Sequence, residues 1–200
     1  MNAEFTRVRD VPQGAFRFIA LDVETANGDA ASICQIGIAC VQPDNHIQCY
    51  ATYVNPEMPF EPFNSELHGI DAQTVSNAPL FPQIWARLLP LLAGHHLIQH
   101  SNFDKNAINA ACAENDLPDP ALQWSDSVAI ARRTWPRLKG NGGHGLGNLK
   151  KILGLEFEHH DAGEDARAAA LVVLHAEEYL EMGFEALVLS KKERQLSFPF

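Results

Sequence analysis

No apolar run in the chain reaches the roughly 18 residues that a membrane-spanning helix needs. The opening residues, MNAEFTRVRD, mix acids and bases and lack the apolar centre of a secretory signal. These two absences set the expectation of a cytoplasmic protein that makes no membrane contact. The four cysteines (Cys34, Cys40, Cys49, Cys112) form no C-x-x-C pair, and three fall in apparent strands, so buried reduced thiols are expected rather than a disulfide framework or a zinc site. Basic side chains are scarce as well: 15 lysines and arginines face 25 acids, for a net charge of −10. Such a balance argues against a general polyanion binder, because phosphate contacts demand cations. Repeats and low-complexity segments are lacking too.

Two hundred residues suffice for one domain with a sizeable core. Segments 16–23, 32–41 and 46–54 read as strands joined by short links, which favours antiparallel pairing. NPEMPFEPFNSELHGID, rich in proline and turn residues, reads as a loop with one helical turn. The period then changes. FPQIWARLLPLLAG is helical, with Gly94 as its stop; HLIQH is a short strand; NFDKNAINAACAEN is a helix; and LQWSDS is a last strand. A helix follows from about Ser127, then a short one in GLGNLKKILG, then a long one over 162–180. The pattern predicts an α/β fold with a mixed five-stranded sheet, three antiparallel strands followed by parallel additions, and helices on both faces. Residues 1–183 would form the domain and 184–200 a C-terminal helix or tail.

In FIALDVETAN, Asp22 and Glu24 end an apolar strand and share one of its faces. Side by side two carboxylates repel, and desolvation makes this worse. A hard divalent cation would relieve the pair; the alternative is a solvated strand end. Asp104 falls in the first turn of a helix, where Ser101-x-x-Asp104 resembles a capping pattern, yet Ala107, Ile108 and Ala111 put it on the inward face. In EHHDAGEDARAAA, Asp161 is the expected N-cap, with Glu164 completing a capping box. His160 and Asp165 then take the two positions where a hydrophobic staple normally joins apolar side chains, and Asp165 heads the core-facing stripe Ala168, Ala169, Val172, Ala176. Four inward acids and one histidine at element ends suit phosphodiester hydrolysis. The acids would hold two cations, and the imidazole would take a proton from water.

This ordered set resembles the DEDD exonuclease superfamily, histidine subgroup, which includes the proofreading subunit of bacterial DNA polymerase III and ribonuclease T. D-x-E matches Asp22-Val23-Glu24, an aspartate opening a helix after a strand matches Asp104, and H-x-x-x-x-D matches His160 and Asp165. The resemblance spans roughly residues 16–180. It implies a ribonuclease H-like fold and 3′-to-5′ hydrolysis releasing nucleoside 5′-monophosphates. Asp22, Glu24, Asp104 and Asp165 would hold Mg²⁺ or Mn²⁺, two ions per site, with His160 as general base. LHGID is similar to a family segment near the terminal nucleotide, which makes His68 a candidate substrate contact, as is Thr25. Many members have Thr-Thr-Gly after the first motif, whereas this chain has Thr25-Ala26-Asn27-Gly28, so the second threonine side chain has no counterpart.

Two further stretches bear on partners. Residues 132–151 hold six of the fifteen bases (Arg132, Arg133, Arg137, Lys139, Lys150, Lys151) and no acid, with glycines that suggest an adaptable loop. They read either as phosphate contacts, Arg137 and Lys139 foremost, or as a solvated face. QLSFPF at the end of the chain resembles the short peptides by which bacterial replication and repair proteins engage the sliding clamp, through Gln195, Leu196, Phe198 and Phe200. A tail folded onto its own domain is the other reading. The substrate implied is a single-stranded DNA 3′ end, with RNA or oligoribonucleotides as the alternative. Two other classes stand as rivals: a non-catalytic nucleic-acid or clamp-binding module, and a zinc site built from His95, His96, His100, His159 and His160.

Overall fold

In a computed structural model, residues 3–157 and 159–189 are described. The terminal QLSFPF lies outside them, and with it the clamp and folded-tail readings. A six-stranded sheet runs in the order β1-β4-β3-β2-β5-β6. β3 (Ile33–Val41) pairs antiparallel with both β2 (Phe18–Thr25) and β4 (Ile47–Tyr53), while β5 (Leu97–Gln99) and β6 (Trp124–Asp126) add in parallel beyond β2. These five are the strands that the sequence predicts.

The sixth corrects the expected count. β1 (Phe5–Arg7) pairs in parallel with β4, aligning Phe5 with Ile47 and Arg7 with Cys49. All three of its residues are exposed, so no apolar alternation marks it. Its anchors are polar instead. Arg7 Nη2 donates to Glu164 at 2.6 Å, and the Arg167 guanidinium lies 4.3 Å from the centre of the Phe5 ring.

Helices cover both faces, as expected. α2 (Phe81–Leu92) and α3 (Phe103–Glu114) pack on one side, against Ile19, Leu21, Val23, Ile36 and Ile38. The other side carries α6 (Ala162–Leu180), flanked by α4 (Ser127–Thr134), α5 (Leu146–Leu153) and α7 (Phe184–Val188). Because these helices cover α6 in turn, burial extends all round it from Ala162 to Leu174, well beyond the stripe its sequence predicts. Phe184 of α7 stacks on Phe18 with ring centres 4.5 Å apart, so the packed body continues past residue 183. All four cysteines are buried and unpaired. The proline-rich segment holds α1 (Pro62–His68), longer than the single turn expected. Proline at its start and Gly69 in the left-handed conformation at its end set its limits.

Alternation along β2 sends its two faces to different helices. Ile19, Leu21 and Val23 face α2 and α3, while Phe18 and Ala20 face α6, the side to which Asp22 and Glu24 also belong. Opposite Asp22 on β3 stands Gly37. A Cβ there would lie 2.1 Å from the carbonyl carbon of Ala162 and 2.3 Å from the Gly163 nitrogen, so only glycine admits the first turn of α6 onto the sheet. Gly37→Ala is expected to push that turn away and to lower stability by about 1–3 kcal/mol, the usual penalty of overpacking. Urea denaturation would measure the loss.

Candidate active site

Three elements bring the predicted acids together. Asp22 and Glu24 come from the end of β2, Asp165 from the first turn of α6, and Asp104 from the first turn of α3. Asp22, Glu24 and Asp165 each offer a carboxylate oxygen within 4.8 Å of the others. β5 pairs with β2 only at Ile19 and Ala20, leaving the Val23 N–H beyond its end. The Asp104 carboxylate accepts that N–H at 3.1 Å, completing the ladder with a side chain. Asp104 therefore does not cap its helix. Asn102 is the N-cap and makes no side-chain cap bond.

The first turn of α6 is held from below. Asp161 caps it by accepting Glu164 N–H at 3.0 Å, and the buried Gln35 of β3 accepts Ala162 N–H at 3.0 Å while reaching Asp161 Oδ2 at 3.3 Å. Only half of the expected capping box forms. The Glu164 carboxylate turns instead to Arg167 (2.5 Å) and Arg7 (2.6 Å). Gln35 is a positioning residue that sequence reasoning missed, because a glutamine inside an apolar strand carries no pattern of its own.

The imidazole–carboxylate contact expected between His160 and Asp165 forms with the neighbouring histidine. His159 Nδ1 lies 2.9 Å from both Asp165 oxygens, while His160 gives Asp165 its backbone N–H at 3.0 Å. The two rings stack with centres 4.2 Å apart. His160 adopts φ 68°, a left-handed conformation unusual outside glycine, and its ring keeps a nitrogen within 4.8 Å of both His159 and Asp165 without bonding the carboxylate. That ring makes no hydrogen bond among the described residues. The doubled histidine in EHHD was the available signal, but the H-x-x-x-x-D spacing selects only its second member.

Around this centre, His68 Nδ1 accepts the Ile70 N–H at 3.0 Å, so its Nε2 carries the proton and donates to the Thr25 carbonyl at 3.1 Å. Asn64 donates to the same carbonyl at 2.9 Å. Both nitrogens of His68 are thus engaged with backbone and help to fix Thr25, which is buried at a bulge at the end of β2. Arg137 and Lys139 do not share a site: they line neighbouring cavities on either side of Pro136. The histidines weighed for zinc disperse. His95 bonds Leu91 O and Phe16 N, His96 bonds Ser125, and His100 bonds Ser127; only His159 and His160 come together, with Asp165.

Burial dominates the electrostatics. It pushes Asp22 well above the usual carboxylate range, and Asp104, Asp165 and Glu24 push it further. Burial, then Asp165 and Asp104, raises Glu24 to about 8. Asp104 and Asp165 are raised by burial as well, against hydrogen bonds from the backbone of Val23 and His160. His160 is lowered by burial and by His159. No lysine or arginine pairs with any of the four acids among the described residues. This negative, oxygen-lined centre suits a hard divalent ion.

Residues 19–173 match the RNase T exonuclease family. The chain is 31% identical over 155 residues to the PolC-type DNA polymerase III of Streptococcus pneumoniae serotype 2, a match covering 76% of this chain and 10% of that protein. The chain thus spans about a tenth of the length of the curated relatives it matches. Among solved structures, exonuclease I superposes with a TM-score of 0.74 at 17% identity, over 90% of this chain and 45% of that one. Exonuclease X, in complex with 5′-overhanging duplex DNA, gives 0.66 at 20% identity, over 86% and 97%. Fold and family together define the class: a ribonuclease H-like architecture carrying an exonuclease-family domain. The chain belongs to the RNase T exonuclease family, within the DEDD superfamily of 3′-to-5′ exonucleases.

The raised carboxyls make a prediction about stability. A carboxyl whose pKa is higher folded than unfolded keeps its proton longer in the folded state, so stability falls as pH rises through that interval. For Glu24 the interval runs from 4.5 to about 8. The Tm of metal-free protein is expected to fall between pH 5 and 8, and Mg²⁺ or Mn²⁺ should raise it more at pH 8 than at pH 6. Asp22→Asn, which removes one repelling charge, should raise the metal-free Tm at pH 8. Differential scanning calorimetry would check all three.

Proposed function

We propose that the chain is a divalent-metal-dependent exonuclease of the histidine subgroup, releasing nucleoside 5′-monophosphates from the 3′ ends of single-stranded or frayed DNA. The observation that carries this reading is the convergence of Asp22, Glu24, Asp104 and Asp165 with no lysine or arginine among them. Their donors are all oxygen, which fits Mg²⁺ or Mn²⁺. Two such ions, when bound, would supply water activation and charge neutralisation at the leaving oxygen. DNA is favoured by the DNA polymerase relatives and by the resemblance of the terminal QLSFPF to clamp-binding peptides.

The side chains divide the remaining tasks. Asp22, Glu24, Asp104 and Asp165 hold the ions. His160, with a free ring and a lowered pKa, is neutral near pH 7 and accepts the proton of the attacking water at a ring nitrogen. His159 holds the Asp165 carboxylate, and its Nδ1 is engaged in doing so. Thr25, fixed by Asn64 and His68, offers a rigid floor for the terminal nucleotide.

The test uses single-stranded DNA and RNA, labelled at either end, with Mg²⁺ or Mn²⁺. Stepwise shortening from the 3′ end is expected, faster on DNA. Internal cuts, or cleavage without a divalent ion, would overturn the reading; faster cleavage of RNA would overturn the choice of DNA. Asp22→Asn should nearly abolish hydrolysis. His160→Ala should lower kcat by about 10²–10⁴-fold. His159→Ala should weaken divalent binding by about 10–100-fold in calorimetry, the usual effect of losing a partner that orients a ligand. Wild-type turnover in the His160 variant would remove the base from this scheme.

A further inference from the structure

We propose that the cleft between the end of α4 and the glycine loop after it binds a backbone phosphate of the nucleic-acid strand upstream of the bond cut, with Arg132 and Lys139 as its cations. The proposal rests on the 3′-exonuclease reading above and assigns that site a second point of grip.

The structure sorts the six bases of residues 132–151. Arg133 donates to the Leu187 carbonyl, and Lys150 donates to the Phe157 carbonyl at 2.5 Å while lying 4.7 Å from the centre of the Phe157 ring. Both are engaged within the protein. Arg137 faces a separate cavity with Trp135 and Tyr179. Lys151 is exposed on α5, while Arg132 and Lys139 line one cleft of about 530 Å³ with Pro136, Gly140, Gly143 and His144, and neither of these two has an acidic partner among the described residues. Two adjacent unpaired cations, in a 20-residue stretch without acid, stand out in a chain of net charge −10. Arginine's fork suits phosphate oxygens, and glycines at the rim let a strand's backbone come close.

The cleft has a fixed wall. Asn141 and Gly143 both donate to the Leu138 carbonyl, at 2.9 and 3.0 Å, and Asn148 Nδ2 donates to the Gly143 carbonyl at 2.8 Å. Gly140, Gly142 and Gly143 all have positive φ, and a Cβ on Gly142 would meet the Asn148 amide at 2.4 Å. The loop expected to be adaptable is a braced turn that sets the position of Lys139.

That wall is also tied to the carboxylate centre through a chain of hydrogen bonds. The His144 carbonyl lies 3.1 Å from His100 Nε2, His100 Nδ1 lies 2.8 Å from Ser127 Oγ, and Ser127 donates to the Gln99 carbonyl at 2.9 Å. The Gln99 side chain in turn accepts the N–H of Lys105, the residue after Asp104, at 3.0 Å. The cleft therefore keeps a set position relative to Asp104, as a subsite for a neighbouring phosphate must.

The test compares wild type, the double variant Arg132→Ala/Lys139→Ala, and Arg87→Ala, which removes one exposed charge from α2 on the other face of the sheet. Binding of a fluorescent single-stranded oligonucleotide is followed by anisotropy in Ca²⁺ across a salt series, so this arm does not depend on turnover. The double variant should bind about tenfold more weakly, with a salt slope smaller by about 0.7 for each phosphate no longer neutralised; Arg87→Ala should follow wild type. In the kinetic arm, KM for the oligonucleotide should rise about tenfold more than KM for the p-nitrophenyl ester of thymidine 5′-monophosphate, which has no upstream phosphate. Unchanged anisotropy and salt slope in the double variant would overturn the proposal. So would binding of inorganic phosphate that the double variant loses while oligonucleotide binding persists, since the cleft would then take free anions. A wild-type enzyme inert on both substrates would refute the exonuclease reading separately, with the binding arm still deciding the cleft.

Discussion

The first turn of α6 lies on Gly37, and that seat determines where Asp165 stands relative to Asp22 and Glu24. A side chain there would hold the helix off the sheet, and Asp165 would no longer approach Asp22 and Glu24. Gln35, two residues back along β3, ties down Ala162 and Asp161 from the same surface. The close approach forces like charges into a half-dry space, where lost hydration raises all four carboxyls and repulsion adds to the rise at Asp22, Glu24 and Asp104. The protein accepts this local instability, and large apolar cores on both faces of the sheet offset it. A strained, negative centre on a rigid scaffold is thereby ready for cations without rearranging to receive them.

The neighbouring histidines show how two like residues acquire different tasks from backbone geometry alone. His160 sits in a left-handed conformation with its own N–H on Asp165, and its ring stays within 4.8 Å of that carboxylate without bonding it. His159 makes the ring-to-carboxylate bond instead. Stacking of the two rings couples their orientations, so the group that steadies a ligand also steadies the group suited to move a proton.

Much of this was legible in the residues. Strands covered on both faces read as continuous apolar runs, and ICQIGIACV is buried at every position of β3. The acids were legible as an ordered set: Asp165 heads a core-facing stripe where an acid has no structural use, whereas Asp22, Glu24 and Asp104 each fit a structural reading when taken alone. What stayed hidden was of a different kind. β1 is exposed and held by ion pairs and a cation–π contact, so hydrophobic patterning passes over it. Glu164 looks like a cap because the sequence does not show Arg7 arriving from 157 residues away. His159 and His160 cannot be told apart without φ, and the engaged state of Arg133 and Lys150 depends on carbonyls that only the tertiary fold brings near.

The outermost strands, β1 and β6, are each three residues long, whereas the long strands β2, β3 and β4 lie inside the sheet. Short borders give a second molecule little template for adding a strand, so this architecture resists edge-to-edge aggregation. The protection is uneven. Along Ile47–Cys49 it is β1 that shields β4, through a segment fastened chiefly at Arg7 and Phe5. Loosening that N-terminal strap would uncover a ready-made pairing surface and release Arg7 from Glu164, the neighbour of Asp165, so this edge governs solubility and the seating of α6 together.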